Sequence, residues 1–364
     1  MKILLIEPYF GGSHRVWAEG YAAHSSHEVR LLTMPARFWT WRMRGGAITL
    51  AHETELWVEE NGRPDLVVAS DMLDLPAYLG AARRVLGGTP AALYLHESQF
   101  TYPWSPQLRT DLQYAYVNWS SMQSADLILF NSAFHMKVVF ESLPKFLRQF
   151  PDSTHEHLVG EVRERSAVLH VGIDLRRFDR VPSSRGDGAP LILWNQRWEH
   201  DKDPAAFFRA VFGLADDGVE FRLAVCGENF RQMPEEFAEA ERRLAGHLVH
   251  FGFAAEDEYV RLLRGADVVA STALHEFFGI AIVEAAYAGA FPVLPDRLSY
   301  PELFPETLHE RVLYPEGDLQ ERLRWALTHP AERMTVAAEL KQSLTAFDWS
   351  VLAPRYDRLL AALA

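Results

Sequence analysis

The chain has 364 residues, of which 48% are hydrophobic and 12% aromatic, and a net charge of −13. This length exceeds what one hydrophobic core usually supports and the composition is globular, so two domains are expected and a disordered chain is excluded. No apolar run is long enough to cross a bilayer and the N-terminus lacks a signal-peptide cleavage site, which predicts a cytoplasmic protein. The single cysteine, Cys226, excludes an internal disulfide and a thiolate zinc site, and is expected to be a buried small hydrophobe.

The negative charge is concentrated in the second half of the chain. Residues 1–180 carry 18 Lys and Arg against 20 Asp and Glu, a net charge of −2, whereas residues 181–364 carry 18 against 29, a net charge of −11. A large polyanionic partner is therefore expected to meet the first half.

Strand-length apolar runs alternate with helical patterns along both halves. The predicted strands are KILLIEPYF, HEVRLLTM, PDLVVAS, AALYLHE, ADLILFNS and SAVLHVG in the first half, then LILWNQR, FRLAVCGE, HLVHFGF, DVVAST and FPVLPD in the second. Such continuous Val, Ile and Leu runs are typical of parallel strands covered on both faces. The Pro-, Gly- and Ser-rich segment RVPSSRGDGAP is the best candidate linker.

This alternation predicts an α/β protein with two doubly wound, Rossmann-like domains, residues 1–180 and 181–345. Residues 346–364 are predicted to form an amphipathic helix that returns to the first domain. Ligands of such sheets bind at the carboxyl ends of the strands, so the loops after the strands are the candidate sites. Four loops carry polar side chains there: GGSH, HESQ, NQRWEHDKD and HEFFG.

The last of these loops leads into a helix that bears a second carboxylate. Glu276 and Glu284 are eight residues apart, and Gly279 stands where the loop turns into the helix. A glycine at a helix N-terminus lets backbone N–H groups approach a phosphate, while the carboxylates could accept hydrogen bonds from sugar and ribose hydroxyls. The alternative is an acidic loop followed by a core helix with a solvated glutamate.

Two cations follow the first strand of the second half. Arg197 and Lys202 could stabilise the charge that develops on a diphosphate leaving group, a task otherwise given to a metal ion. The alternative is a pair of surface cations beside acidic neighbours. Asp201 and Asp203 resemble an Asp-x-Asp metal motif, but the intervening lysine favours a phosphate clamp and no metal is expected.

The first-half loops are less specific. The loop GGSH could bind phosphate or be a tight turn, and it lacks the third glycine of a dinucleotide-binding fingerprint, which disfavours NAD. His96 is either a site residue or a satisfied polar group at the end of a strand.

Together these segments resemble glycosyltransferase family 4, whose retaining enzymes carry a Glu-x7-Glu motif, an Arg and Lys diphosphate clamp and a histidine in the cleft between domains. HVGIDLRRF resembles the end of that family's first domain. The resemblance is more specific to the tRNA-queuosine mannosyltransferase group, also called the glycosyltransferase-like domain-containing protein 1 family, over residues 1 to about 305. Its segments are GGSHR, LTMPARFWTWRMR, YLHESQFTYP, FNSAFHM, RWEHDKDP, STALHEFFGIAIVEAAYAGAFPVLP and YPELFP.

The resemblance implies a GT-B fold and the retaining transfer of mannose from GDP-mannose to queuosine in a tRNA anticodon loop, with no metal and no other cofactor. Neither a membrane nor an obligate protein partner is implied. The implied donor contacts are Glu276 with mannose, Glu284 with ribose, Arg197 and Lys202 with the pyrophosphate, Phe278, Gly279 and Ile280 with phosphates and sugar, and Gly11 and Gly12 in a loop over the diphosphate. His96 and Glu276 would be catalytic, with His96 stabilising the sugar as it becomes oxocarbenium-like.

The segment RFWTWRMR, residues 37–44, is the candidate acceptor surface. It contains no acid and combines arginines for phosphate contacts with aromatic rings that could stack on splayed RNA bases. The alternative is that the aromatic residues pack in the core and the arginines are merely solvated. The acceptor-side candidates are His14, Arg37, Trp39, Trp41, Arg42, Arg44, Gln99, Tyr102 and Tyr114.

Three other functions remain open from the sequence. A family 4 enzyme could use a lipid or small-molecule acceptor, for which VVFESLPKFLRQF is the only weak membrane-surface helix. A non-catalytic sugar- or RNA-binding relative would be expected to lack one of Arg197, Lys202, Glu276 or Glu284, and all four are present. A sugar-nucleotide epimerase shares the architecture, but no residue pattern favours it.

Overall fold

The computed structural model describes residues 1–101, 112–186, 188–227 and 235–364. The chain divides into two compact units: unit 1 comprises residues 1–173 and 349–364, and unit 2 comprises residues 174–348. The divisions after residues 173 and 348 differ by a few residues from those expected from the sequence, after residues 180 and 345. None of the described helices is long and apolar enough to span a membrane.

Unit 1 contains a six-stranded parallel sheet with strand order β2-β1-β3-β4-β5-β6. Its strands are β1 (Lys2–Phe10), β2 (Glu28–Pro35), β3 (Leu66–Ser70), β4 (Ala91–Leu95), β5 (Leu127–Phe130) and β6 (Ser166–Val168). Its helices are α1 (Gly12–His24), α2 (Trp39–Asn61), α3 (Leu75–Leu86), α4 (Leu112–Ser124), α5 (Ala133–Leu147), α6 (Val159–Glu164) and, at the C-terminus, α15 (Trp349–Ala361). Every residue of β3 and β4 is buried, as expected for central strands covered by helices.

The C-terminal helix α15 is part of unit 1 because its first residue fills a space that two glycines leave open. Trp349 is almost fully buried, and a Cβ atom at Gly20 or Gly172 would come within 2.0 or 2.3 Å of its ring. Further along α15, Asp357 accepts a 3.0 Å hydrogen bond from the hydroxyl of Tyr21. Both glycines therefore allow the Trp349 ring to pack closely against the backbone of unit 1.

Unit 2 contains a second six-stranded parallel sheet with strand order β12-β11-β10-β7-β8-β9. Its strands are β7 (Leu191–Asn195), β8 (Arg222–Cys226), β9 (Leu248–Gly252), β10 (Val268–Ala270), β11 (Phe291–Pro295) and β12 (Leu313–Tyr314). Its helices are α7 (Pro204–Asp216), α8 (Glu235–Arg243), α9 (Glu256–Gly265), α10 (Ile280–Tyr287), α11 (Tyr300–Leu303), α12 (His309–Val312), α13 (Leu319–Thr328) and α14 (Pro330–Leu344). The expectation of two doubly wound α/β sheets is confirmed, and only the two-residue strand β12 was not predicted.

The strand orders locate one crevice in each unit. In unit 1 the order along the sheet reverses around β1 and β3, and in unit 2 it reverses around β10 and β7. Loops leave such a pair of strands in opposite directions, which opens a crevice at their carboxyl ends. Cys226 ends β8, where burial raises the pKa of its thiol to about 12, consistent with a packing residue.

Candidate active site

The crevice of unit 2 is built from the loops that follow β7 and β10. Two hydrogen bonds join these loops: Leu274 N–H donates to the Asp201 carbonyl at 2.8 Å, and the Thr272 hydroxyl donates to the Lys202 carbonyl at 2.7 Å. The Lys202 side chain then reaches the second loop, with its Nζ 2.8 Å from the His275 carbonyl oxygen and 3.3 Å from Glu276 Oε2. The predicted cation and the predicted sugar-binding carboxylate are thus brought together.

Lys202 is a buried cation between two carboxylates. Its Nζ lies 3.2 Å from Asp201 Oδ2 as well as 3.3 Å from Glu276 Oε2. Burial lowers the pKa of Lys202, but Glu276 and Asp201 raise it by more, so the ammonium form is retained. Arg197 is more exposed, and its Nη2 lies 3.5 Å from Glu199.

Asp203 has a local structural role. Its side chain accepts a 3.1 Å hydrogen bond from Ala206 N–H and caps the N-terminus of α7. At least one oxygen of this carboxylate is therefore used by the helix.

Gly279 sets the entry into α10. Its φ of 103° lies in the left-handed region, and a Cβ there would also touch the side chains of Tyr300 and Leu303 at 3.4 and 3.5 Å. The preceding loop is folded onto itself, because Phe278 N–H donates to Glu276 Oε1 at 3.3 Å. This geometry places Ile280 in the first turn of the helix, where backbone N–H groups lack partners within the helix.

Glu284 is buried on α10 and has two partners that the sequence did not reveal. Arg177 Nη2 donates to its Oε1 at 2.6 Å, and the Tyr259 hydroxyl donates to its Oε2 at 3.0 Å. Burial raises the pKa of Glu284, while Arg177 and Tyr259 act in the opposite direction. The only sequence signal for Arg177 as a site residue is its position within HVGIDLRRF, the segment that resembles the end of the family's first domain. No sequence pattern indicates Tyr259.

The crevice of unit 1 contains a second buried cluster. Glu7 lies in the buried part of β1, and its Oε2 lies 2.9 Å from Nδ1 of His14 in the first turn of α1. The His14 and His96 rings are 4.1 Å apart between centroids. His96 follows β4, and its backbone N–H donates to Asp71 Oδ1 at 2.9 Å. Glu7 and Asp71 also lie at carboxyl ends of strands, and the sequence reasoning missed both.

The protonation states of this cluster differ from residue to residue. Burial lowers the pKa of His14, but Glu7, together with Asp71 and Glu97, raises it by more, to about 9. The pKa of His96 lies well below its usual value because of burial and the His14 charge. Burial raises the pKa of Asp71 to about 7. At neutral pH the geometry therefore favours a charged His14 beside a neutral His96, whose Nε2 has no hydrogen-bond partner among the described residues.

The described parts of the chain contain one group of side chains whose possible ligand atoms are close enough to share a metal ion. It consists of Glu7, His14 and His96, whose ligand atoms lie within 4.8 Å of one another. The Glu7 to His14 hydrogen bond already uses one atom from each of these two residues. The expectation that the protein needs no metal stays a prediction.

Other residues predicted for the first loop and for the acceptor lie near His14 and His96 along the chain. Gly12 has φ of 51°, and a Cβ at Gly11 would approach Ala36 Cβ to 2.5 Å, so both positions require glycine. Gln99 is buried, and its backbone N–H donates to Asn118 Oδ1 at 3.2 Å. Tyr102 lies outside the described residues.

The segment 37–44 divides into exposed and packed side chains. Phe38 and Trp41 are 72% and 62% exposed, and Arg37 and Arg44 are exposed as well. Trp39 instead packs against Tyr114, with ring centroids 4.9 Å apart. The buried Arg42 donates from Nε to the Pro35 carbonyl at 3.2 Å.

Two of the exposed side chains, Arg44 and Trp41, contact neighbouring residues of unit 1. The Arg44 guanidinium lies over the Tyr114 ring at 5.0 Å and donates to Gln113. The Trp41 ring covers Gly45, because a Cβ at that glycine would come within 2.5 Å of it. We refer to Arg37, Phe38, Trp41 and Arg44 as the aromatic-arginine surface.

Comparison with known proteins assigns each unit to a family model. The model described as tRNA-queuosine alpha-mannosyltransferase N-terminal matches residues 2–173, and the model described as Glycosyl transferases group 1 matches residues 176–342. The chain is 33% identical over 313 residues to a tRNA-queuosine alpha-mannosyltransferase of Drosophila melanogaster, which covers 84% of this chain and 82% of the relative.

Solved structures agree on the fold. A sucrose-phosphate synthase from Thermosynechococcus elongatus matches with a TM-score of 0.72 at 15% identity, covering 100% of this chain and 99% of that one. A trehalose-6-phosphate synthase matches with a TM-score of 0.73 at 12% identity, covering 99% of each chain. The chain is therefore a glycosyltransferase with the GT-B fold and belongs to the tRNA-queuosine alpha-mannosyltransferase family.

Proposed function

We propose that this chain transfers mannose from GDP-mannose to queuosine in the anticodon loop of a tRNA, with retention of configuration at the sugar carbon and without a metal ion. Membership of the family supports the acceptor and the sugar. The observation that carries the proposal is the contact of the buried Lys202 with the partly exposed Glu276 beside the Gly279 turn. It combines a fixed cation, a carboxylate acceptor for hydroxyls and a helix N-terminus within one crevice.

In this proposal the charges of unit 2 hold the donor. Lys202 and Arg197 stabilise the negative charge that grows on the diphosphate as the bond to the sugar breaks. The N–H groups at the start of α10 add a favourable helix dipole. Glu276 accepts hydrogen bonds from mannose hydroxyls. Because both cations are protein side chains, a divalent ion is not required.

The reaction is a substitution at the anomeric carbon. The bond from this carbon to the diphosphate oxygen breaks, and a bond to a hydroxyl oxygen of the queuosine cyclopentene-diol forms on the same face. The hydroxyl proton passes to the departing diphosphate. A neutral His96 imidazole can lie beside a sugar that becomes oxocarbenium-like without repelling it, which is the role that we propose for its low pKa.

The aromatic-arginine surface of unit 1 is the proposed contact for the tRNA. Arg37 and Arg44 supply positive charge for phosphates, and Phe38 and Trp41 offer exposed rings to unstacked bases. The contacts of Arg42 and Trp39 indicate that these two residues support the segment. The first half of the chain also carries far less negative charge than the second.

A panel of radiolabelled sugar nucleotides, each offered with and without tRNA, tests the proposed donor. We expect label to enter tRNA from GDP-mannose and from no other member of the panel. Transfer from a different sugar nucleotide would replace the donor assignment, and label released only as free sugar would argue against a tRNA acceptor.

A further inference from the structure

Glu284 is held at both of its oxygen atoms. Arg177 donates to Oε1 from the 3₁₀ turn Leu175–Arg180, and Tyr259 donates to Oε2 from α9. The Tyr259 hydroxyl in turn accepts a 3.1 Å hydrogen bond from Asn195 at the end of β7. Two elements of unit 2 therefore contact this buried carboxylate directly, and a third supports one of those contacts.

The partners use only part of the carboxylate's capacity. An ionised carboxylate offers about four lone-pair sites and donates nothing, so one site on each oxygen remains after Arg177 and Tyr259 are counted. A vicinal diol presents two hydroxyl donors at a spacing that matches the two oxygens. The arrangement suits a ribose whose 2′ and 3′ hydroxyls both donate.

Arg177 has a second partner that fixes its guanidinium. Its Nη1 lies 2.7 Å from Oε1 of the exposed Glu256, and its Cζ lies 4.7 Å over the Phe178 ring. A guanidinium held on both sides loses little freedom when it also binds Glu284. Arg177 is thus a fixed cation beside a carboxylate that burial alone would drive toward the neutral form.

We propose that Arg177 and Tyr259 are positioning residues that keep Glu284 ionised and oriented as a double acceptor for the ribose diol of the donor nucleotide. This inference rests on the proposed function through the assignment of Glu284 to the ribose. Neither positioning residue is assigned to the transfer step itself.

The consequence of losing Arg177 follows from the groups that act on Glu284. These are Arg177, Tyr259 and, at greater distance, Glu256, and only Arg177 is a cation. Without it, burial and Glu256 raise the pKa of Glu284 further. A protonated Glu284 donates a hydrogen and loses an acceptor site, so nucleotide affinity should fall at low pH and recover as the pH rises through the new pKa.

Calorimetry of GDP, 2′-deoxy-GDP and 3′-deoxy-GDP with the purified protein at pH 6, 7 and 8 tests this inference. For the parent we expect a preference for GDP over both deoxy forms at every pH. For Arg177→Met we expect a loss of about tenfold or more in GDP affinity at pH 6, a weaker loss at pH 8 and a reduced ribose preference. Arg177→Lys should restore most of the affinity.

Tyr259→Phe removes one hydrogen bond with little change in volume, so it tests the same idea if Arg177→Met fails to fold. We expect it to reduce the preference for GDP over one deoxy form more than over the other. The matched control is Arg243→Met, since Arg243 also pairs with an acid, Asp216, at 3.1 Å and lies 3.9 Å over an aromatic ring, that of Phe212. It should bind all three nucleotides as the parent does.

The inference is overturned if folded Arg177→Met and Tyr259→Phe keep the affinity, the pH profile and the ribose preference of the parent. Failure of the proposed donor would look different, because the parent itself would then bind UDP in preference to GDP. In that case the same variants, titrated with UDP and its deoxy forms, still decide the role of Arg177.

Discussion

The two crevices differ in the groups that balance their carboxylates. In unit 2 two site carboxylates, the partly exposed Glu276 and the buried Glu284, each face a cation that is charged at neutral pH: Lys202 and Arg177, respectively. In unit 1 the buried Glu7 faces His14, whose pKa of about 9 means that it loses its proton in mildly alkaline solution. Lys202 and Arg177 therefore keep their charge over the physiological range, whereas the unit 1 cluster contains two groups, Asp71 and His14, with pKa values of about 7 and 9.

This difference corresponds to different tasks in the proposed reaction. A leaving diphosphate needs positive charge that does not depend on proton transfer, which lysine and arginine provide. A sugar that becomes cationic needs a neighbour without charge, which His96 provides because His14 and burial disfavour its protonation.

The fixed charges of unit 2 are tested first by Glu276→Ala. We expect turnover to fall by two or more orders of magnitude, since a contact that strengthens in the transition state contributes about 3 kcal/mol. Initial rates of mannosyl transfer at saturating donor provide the measurement. The exposed Glu220→Ala serves as a control of the same type in the same unit. An unchanged rate in a folded Glu276→Ala protein would remove Glu276 from the site.

The aromatic-arginine surface is the next test, because it assigns the RNA to unit 1. Trp41→Ala should weaken tRNA binding by about 1–3 kcal/mol if the ring stacks on a base, and leave GDP binding unchanged. Filter-binding titrations and thermal melts separate loss of contact from loss of fold. Phe253→Ala is the matched control, since Phe253 is 68% exposed in unit 2. Equal weakening by both variants would contradict the assignment to unit 1.

The titrating pair of unit 1 predicts a smaller, pH-dependent effect on stability. The pKa of His14 rises from 6.5 to about 9 on folding, so its stabilisation is complete below pH 6.5 and is lost as the pH rises toward 9. The shift corresponds to about 3 kcal/mol. Asp71 also loses stabilisation as the pH rises, but in a lower window, between about 4 and 7.

Glu7→Gln should therefore flatten the decline in unfolding temperature between pH 6.5 and pH 9. Thermal melts of the parent, Glu7→Gln and the exposed control Glu28→Gln at several pH values provide the comparison. If the parent and Glu7→Gln show the same pH dependence, Glu7 does not hold the charge on His14.

Metal removal should have the smallest effect. Because Lys202 and Arg197 supply the proposed positive charge in unit 2, transfer rates should be the same with EDTA as without it. A rate that requires added Mg²⁺ or Mn²⁺ would show that these side chains do not suffice. Loss of activity that only Zn²⁺ restores would direct attention to Glu7, His14 and His96.

The sequence predicted the fold well because its signals are local. Continuous apolar runs marked every strand except β12, which has only two residues. The Gly279 turn and the loops after β7 and β10 were also evident, since ligand loops follow the carboxyl ends of parallel strands.

The partners of the predicted site residues were not evident, because they depend on which distant segments meet. Arg177 and Glu284 are 107 residues apart, and Tyr259 looks like an ordinary helix residue. Likewise, residues 37–44 showed no helical period that would separate the exposed Trp41 from the packed Arg42 and Trp39. Only the fold of α2 against Pro35 and Tyr114 makes that distinction.

The central claim is that mannose is transferred to queuosine in tRNA. The most direct measurement incubates the protein with radiolabelled GDP-mannose and two preparations of one tRNA that differ only in whether queuosine or guanosine occupies the modified position. We expect acid-insoluble label in the queuosine-containing tRNA alone, with about one mannose per tRNA at completion. Equal labelling of both tRNAs, or of neither while GDP-mannose is consumed, would contradict it.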